Sequence, residues 1–568
     1  MADKNNETDK QRFTRRKAML WTERSSWEPD WQNLIDYVAP SAGRFHTSET
    51  NRGDKVARAR KVNDSTGRRS LRVLAAGLQG GMSSPARPWF RLSTGDEELD
   101  DQYEVKVWLR AVETKMRAVF ASGNTYRVLH QVYVELGAFG TACAVMLPDF
   151  DNVIHMMPLT IGEYALATDG KNRVTALVRE LSMTVGQLVD EFGLANCSER
   201  VRQQYDRNVL DTWVQVCHIV EPRKNRDASK ADAVNKKFRS VYFELGTGTG
   251  DDKLLRDSGF DAFNVLAPRW EVTGVDVYGH GPGHEALPAI RELQHGKLRK
   301  AQAIDYQTNP PLQVPSSLRE AGVNRLPGGV TYVDAVGSQN AVASLFNVEL
   351  DLSALREDMQ EVREAIRQHF FEDLFLMIAN DTRSGITATE IAERHEEKML
   401  MLGPVLERLE NELFDPLIDF TFNQLAAGGA LPPIPEALRD RNLEVEYIGL
   451  LAQAQRAVAL RGNDRLIATV GSLASGTGDM GVWDMLDTDE LITEYADGLG
   501  VAPKILRSKD ARDALRKQRA AQQQAQQALA SAEQAAKTGQ AASQIDPQNM
   551  QDVMGMFQGY GSPTAQEV

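Results

Sequence analysis

Apolar residues recur along most of this chain at helical spacing. Trp21, Trp27, Trp31 and Tyr37 stand among charged residues between positions 10 and 40, which predicts an amphipathic helix anchored by aromatics. Leu71, Leu74, Ala75 and Leu78 predict a second helix from Ser65, broken at Gly80 and Gly81. Val105, Trp108, Leu109, Val112, Met116 and Phe120 share one face of a third, and Tyr126 to Gly140 reads as a fourth. Later, Leu352, Leu355, Met359, Val362, Ile366, Phe370 and Leu374 recur at intervals of three and four, the clearest helix in the sequence. Thr387 and Glu390 have capping-box spacing, and Val405, Leu406, Leu409, Leu413 and Leu417 continue the stripe toward Pro416, where a kink is expected.

Between these helical regions the period changes to two. CAVMLP, VIHMMPL and VTALVREL read as strands, followed by a polar helical link from Thr184 to Tyr205. Strands resume in WVQVCHIVEP, FRSVYFEL and PRWEVTGVDVYG, making 210–280 the most β-rich stretch. HEALPAIRELQHGKLRKAQAIDYQ then reads as one helix, stopped by the prolines of NPPLQVP. Helical patterns continue to about residue 500. The Ala/Gln-rich end favours helix by propensity but has too few large apolar residues to bury a core.

Composition narrows the classes. With 568 residues and 42% hydrophobic content the chain can fill several cores, about four by the usual domain size. A formal net charge of −14 disfavours a dedicated nucleic-acid binder, which needs a basic surface, but does not oppose transient passage of nucleic acid past an acidic wall. Cys143, Cys197 and Cys217 lie far apart without a CxxC pair, so buried reduced thiols are expected, with neither a disulfide framework nor a zinc site. No apolar h-region opens the chain and no apolar run approaches membrane-spanning length, so a soluble protein without membrane contact is expected.

Candidate chemistry fails residue by residue. GLQGGMSSPARPWFRL (77–92) is glycine-rich, but no Gly-Lys-Ser/Thr follows to hold a phosphate and its magnesium, so a helix-ending turn with packed aromatics is expected. GTGTG (246–250) reads as a turn. HEEKM (395–399) places Met399 where a zinc protease needs its second histidine. His280 and His284 are four apart, yet Gly281-Pro282-Gly283 keeps one helical face from presenting both. No GxSxG occurs. No catalytic residue, cofactor site or metal site is expected.

The ordered set LAAGLQGGMSSPARPWFRL, VYVELGAFGTACAVM, VYGHGPGHEALPAIRELQ, NPPLQVP, TATEIAERHEEKMLMLGPVLERLENELFDPLIDFTF and LDTDELITEYADGLGV resembles the head-to-tail connector, or portal, proteins of short-tailed bacteriophages, from about residue 10 to 505. The resemblance implies an α+β, mainly helical portal fold of wing, stem, clip and crown, assembling as a ring with a central channel. It implies an N-terminal wing part (1–183), a first stem helix (184–206), a β-rich clip (207–283) and a second stem helix (284–311). After these come a tunnel-loop region (312–346), a wing helix and connection (347–400), a crown (401–502) and a C-terminal segment (503–568), either barrel or disordered. A homododecamer at one capsid vertex is implied, with double-stranded DNA, terminase, tail or adaptor proteins, and major capsid and scaffold proteins as partners. The location implied is the virion, and the host cytoplasm during assembly.

An acidic conduit suits this role, because a basic bore would hold a polyanion with one charge per ~1.7 Å through many phosphate contacts. Sparse cations could still steer or brake it. The candidates are Lys297, Arg299 and Lys300 on the predicted stem helix and Arg319 and Arg325 in the loop region. A basic helix face can equally pair with neighbouring acids. Two other functions stay open: a tail or minor capsid part, distinguished by its oligomer, and a packaging ATPase, distinguished by ATP hydrolysis.

Overall fold

The first helix begins where the sequence supplies a cap. The structure, a computed structural model, describes residues 8–45, 62–308 (except 101, 228, 231 and 248–251), 312–313, 343–344, 352–379, 400–439, 443–449 and 451. A second compact unit begins at Leu460 and is described at 465–476, 478, 480–489, 491–492, 495 and 512–526. The Thr387–Glu390 capping signal, HEEKM and the Ala/Gln-rich end after 526 lie outside the described residues. Helix α1 (Asp9–Arg24) opens on a capping box, in which Thr8 and Gln11 satisfy each other's backbone N–H. α2 (Glu28–Tyr37) follows after a three-residue turn.

Helix α3 (Thr66–Met82) does not break at Gly80 and Gly81 as the sequence suggested; it runs through both. Two of the three glycines here, Gly77 and Gly81, serve packing instead. A Cβ on Gly81 would lie 2.6 Å from Leu451, and one on Gly77 would lie 2.2 Å from the Phe375 ring, so both allow close approach, while Gly80 faces open space. The exit is strand β1 (Phe90–Ser93), where Trp89 and Phe90 are buried with ring centroids 4.7 Å apart. α4 (Tyr103–Ser122) buries the face its periodicity predicted, α5 (Thr125–Phe139) is helical as expected, and α3 packs on α5 where Gly137 meets Leu71 and Leu74.

α5 ends at Gly140, left-handed at φ +68°. β2 (Cys143–Asp149) and β3 (Val153–Leu159) then form a hairpin. β4 (Tyr164–Thr168) and β5 (Val174–Thr184) start a second sheet. The polar link is not one helix but two of eight residues each, α6 (Val185–Phe192) and α7 (Glu199–Asp206), separated at Gly193 (φ +79°) and a 3-10 turn. Thr184 and Ser198 cap them, and Ser198 also donates twice to the buried Glu244 carboxylate.

β6 (Trp213–Pro222), β7 (Phe238–Glu244) and β8 (Arg256–Phe260) complete an antiparallel sheet in the order β4-β5-β6-β7-β8. The β-rich island is therefore no separate body. β5 pairs with β6 over eight residues, so the sheet runs across the boundary drawn at 184–206. β9 (Val265–Leu266) joins β2, making the sheet β3-β2-β9. PRWEVTGVDVYG is not a strand: it makes isolated bridges at Arg269 and Glu271 and turns at Gly274 (φ +59°).

Side chains close the sheet edges. The Asn124 amide donates to the Met156 carbonyl at 2.7 Å and accepts its N–H at 3.0 Å, standing in for a neighbouring strand on β3. Tyr278 Oη accepts the Leu166 N–H, and Arg24 caps the Tyr164 carbonyl, on β4. Arg223 donates to the Ser258 carbonyl on β8, and Glu113 accepts the Leu92 N–H on β1.

α8 (Pro282–Thr308) is one 27-residue helix, about 40 Å long. β10 (Leu312–Gln313) pairs with β11 (Ala343–Ser344), drawing together the two ends of the segment between them. The long helix predicted over 352–374 is interrupted: α9 (Leu352–His369) stops, Phe371 takes φ +54°, and α10 (Glu372–Ala379) starts. Packing overrides periodicity there, since Phe370 and Leu374 are buried and Phe371 lies 6.2 Å from the Trp270 ring. The kink assigned to Pro416 is a π turn at Glu410–Phe414, just before α11 (Asp415–Ala427). That turn presents Glu412 to Arg269, whose guanidinium is 2% exposed. Arg269 donates to Glu412 Oε1 at 2.6 Å and to the Asn172 carbonyl at 2.7 Å. β12 (Glu444–Tyr447), unforeseen, pairs with β1. The helix from residue 400 and β12 thus belong to the first unit. Within the second, Asp489 receives Arg516 and Arg512.

The glycine positions separate two energetic cases. Gly140→Ala would force an alanine to φ +68° with its Cβ 2.4 Å from the Gly279 carbonyl, so unfolding in denaturant should show a loss of at least about 3 kcal/mol. Gly80→Ala, in open helix surface, should be neutral or gain up to ~1 kcal/mol.

Candidate functional site

α8 carries three of the five cations singled out in the sequence. Its N-terminal half is fixed by Ala286, Ile290 and Leu293, buried at helical spacing against α2, α5 and α9. Beyond Gln294 only Ala303 is buried, and Leu298, Ile304 and Tyr306 are 47%, 39% and 48% exposed. The C-terminal half therefore has a largely exposed surface, polar and partly apolar, beside its contact with α9.

The three cations diverge in this setting. Lys297 Nζ lies 3.6 Å from Asp64 Oδ2, which also receives Arg363 at 3.0 Å. Asp64 Oδ1 accepts the Thr66 N–H at 3.0 Å and its hydroxyl at 2.5 Å, holding the start of α3. Beside it the buried Gln294 amide accepts the N–H groups of Asn63 and Asp64 and donates to the Asp64 carbonyl. Lys297 therefore belongs to a polar junction of α3, α8 and α9. Arg299 is exposed and donates to His295 and Gln302. Lys300 is half-buried, and among the described residues neither it nor Arg299 has a carboxylate partner. Arg319 and Arg325 lie outside the described residues, between β10 and β11.

Asp64, Gln294 and Arg363 were missed in the sequence. Asp64 alone left a signal, standing ahead of a helix in Asn-Asp-Ser-Thr. Burial opposes ionisation of Asp64, but the bonds from Thr66 and Arg363 outweigh it and hold the carboxyl below its usual range.

Other titratable groups among the described residues sit in structural settings. His280 and His284 do meet, with ring centroids 5.0 Å apart, on either side of the start of α8 at Pro282. The Gly281 N–H donates to His284 Nδ1, and burial with the neighbouring His280 lowers the imidazole to about 4. Arg179 donates to Nδ1 of the buried His218, whose Nε2 meets Ser240 Oγ at 2.9 Å; burial, then Arg179 and Arg256, hold this ring neutral. The three cysteines are buried and unpaired, with Cys197 raised to about 11 and Cys217 to about 12 by burial. Among the described residues no cluster of three or more His, Cys, Asp or Glu could hold a metal, and no helix is long and apolar enough to cross a membrane.

Comparison with known proteins agrees over nearly the whole chain. A family model described as bacteriophage head to tail connecting protein matches residues 10–506. The probable portal protein of Bordetella phage BPP-1 is 48% identical over 557 residues, covering 98% of this chain and 99% of that one. The portal protein of Salmonella phage epsilon15 is 40% identical over 559 residues, covering 98% and 99%. A solved virion of a native gene transfer agent particle superposes with a TM-score of 0.35 at 11% identity, over 78% of this chain and 95% of that chain, too remote to carry an argument.

The junction at Asp64 has a pH signature. A carboxyl whose folded pKa is below its unfolded value of 3.8 stabilises the protein above that value and loses the contribution as pH falls through the folded one. Asp64→Asn should cost about 1–3 kcal/mol at pH 7, and denaturation curves should show the gap from the parent narrowing toward pH ~3. A gap independent of pH would remove the charge from the explanation.

Proposed function

The chain belongs to the bacteriophage head to tail connecting protein family, and from that membership we propose how it works as a portal. It is a structural part of the virion of a tailed phage and not an enzyme. The match along 10–506, together with two portal relatives at full length, carries this reading. Copies assemble as a ring, dodecameric at one capsid vertex, through which double-stranded DNA enters under terminase and later leaves toward the tail.

Within this reading α8 is the stem helix beside the DNA path. Its support is the largely exposed C-terminal half and two cations, Arg299 and Lys300, that have no acidic partner among the described residues. Lys297 is a weaker candidate, since it is engaged with Asp64. Arg319 and Arg325 are proposed for the tunnel loop between β10 and β11. The sheet β4–β8 is the natural clip candidate for docking terminase and then tail proteins, taken as one body because β5 and β6 are continuous neighbours. The helices around α3, α5, α9 and α10 suit the wing. A crown fits best from Leu460, where the second compact unit begins.

Native mass spectrometry with negative-stain imaging tests the ring directly: a hollow particle of about twelve copies is expected, and a chain monomeric at every concentration would count against it. The double variant Arg299→Glu, Lys300→Glu should still form rings but lower terminase-driven DNA packaging by at least about tenfold. Packaging at the parental level would remove both residues from the channel.

A further inference from the structure

We propose that α1 is a releasable strap, pivoting at Arg24, whose ion pairs clamp it over the five-stranded sheet so that ionic strength controls access to the apolar face beneath. This stands independently of the portal reading.

The sheet's two faces are covered unequally. On one, Tyr164, Leu166, Leu177 and Val220 merge with the main core. The other carries Ala165, Ala176, Val178, Cys217, Ile219 and Val241, a cluster completed from α1 by the buried Phe13 and Leu20, with Trp21 packed partly buried against it. Sixteen residues rich in charge are marginal as a helix in water without such docking.

Charge supplies the remaining grip. Asp9 meets Arg239 at 2.6 Å, Arg12 meets Glu221 at 2.6 Å, and Lys17 pairs with Glu180. The Arg12 and Arg239 guanidiniums lie 4.5 and 5.0 Å from the centroid of the Phe13 ring, which stacks on Phe243. Asp9 and Arg12 are the solvent-exposed members of the first two pairs, so salt reaches those directly, while Lys17 and Glu180 are both half-buried. The far end of α1 is different. Arg24 is buried and donates to the carbonyls of Gly162 and Tyr164 at 3.0 and 2.9 Å, and to Glu28. Salt does not screen those backbone bonds, so Arg24 remains the fixed point while the first turns lift.

Cys217 reports the motion, because it lies in the cluster beneath α1, whereas Cys143 lies in the main core and Cys197 among α6 and α7. The full chain is treated with iodoacetamide and each cysteine is followed by mass spectrometry. Alkylation of Cys217 should accelerate about tenfold between about 0.05 M and about 1 M NaCl, with Cys143 and Cys197 unchanged. Arg12→Glu should reproduce the acceleration at low salt, and Arg12→Glu with Glu221→Arg should reverse it. Cys217 staying as slow as Cys143 at high salt and in Arg12→Glu would overturn the strap. So would parallel acceleration of all three thiols, which reports global opening.

Discussion

Where α5 ends and α8 begins, two backbones touch with no side chain between them. A Cβ on Gly140 would strike the Gly279 carbonyl, one on Gly279 the Gly140 carbonyl, and one on Gly283 the Ala138 carbonyl at 2.2 Å. The contact is sealed by Trp270 N–H to the Gly140 carbonyl, Ala142 N–H to the Pro268 carbonyl, and Gly279 N–H to Thr141 Oγ1. Only glycine permits this approach, and it fixes the origin of the 27-residue helix against the core. A helix of that length magnifies small errors at its base, so a tight base is what lets its distant cations occupy defined positions.

Buried charge provides the second level of order. Arg269 ties the segment after β9 to the β4–β5 turn at Asn172 and to the π turn at Glu412, three segments remote in sequence. Asp64 does the same for α3, α8 and α9. Desolvating such groups is costly, so their net stabilisation is small, while breaking one partner costs about 3–5 kcal/mol. They select one arrangement of helices over others that would bury similar apolar area.

Much of this was legible in the sequence, and the failures have physical causes. Strands β6 and β7 and helices α4, α5 and α8 follow from period and stop signals within the chain itself. Gly81 does not end the helix because a helix can retain glycine when another segment packs on it, and Leu451 is some 370 residues away; Gly80 is simply tolerated on the open helix surface. Phe371 broke a strong 3.6-residue pattern because its ring is held against Trp270. β12 is only four residues long and largely polar, so nothing local announces its pairing with β1. The cations on α8 were visible by composition, but that Lys297 is engaged depends on Asp64, more than 230 residues earlier.

The covered strand edges bear on how copies of such a chain meet. Open edges are templates that recruit further strands without limit, and fibrils grow that way. On β3, β4, β8 and β1, amide, hydroxyl, guanidinium and carboxylate groups occupy backbone positions that a foreign strand would need. A subunit proposed to gather with many copies of itself is thus steered toward contacts through helices and loops, which saturate when a ring closes. Misassembly should then yield incomplete or oversized rings, not amyloid.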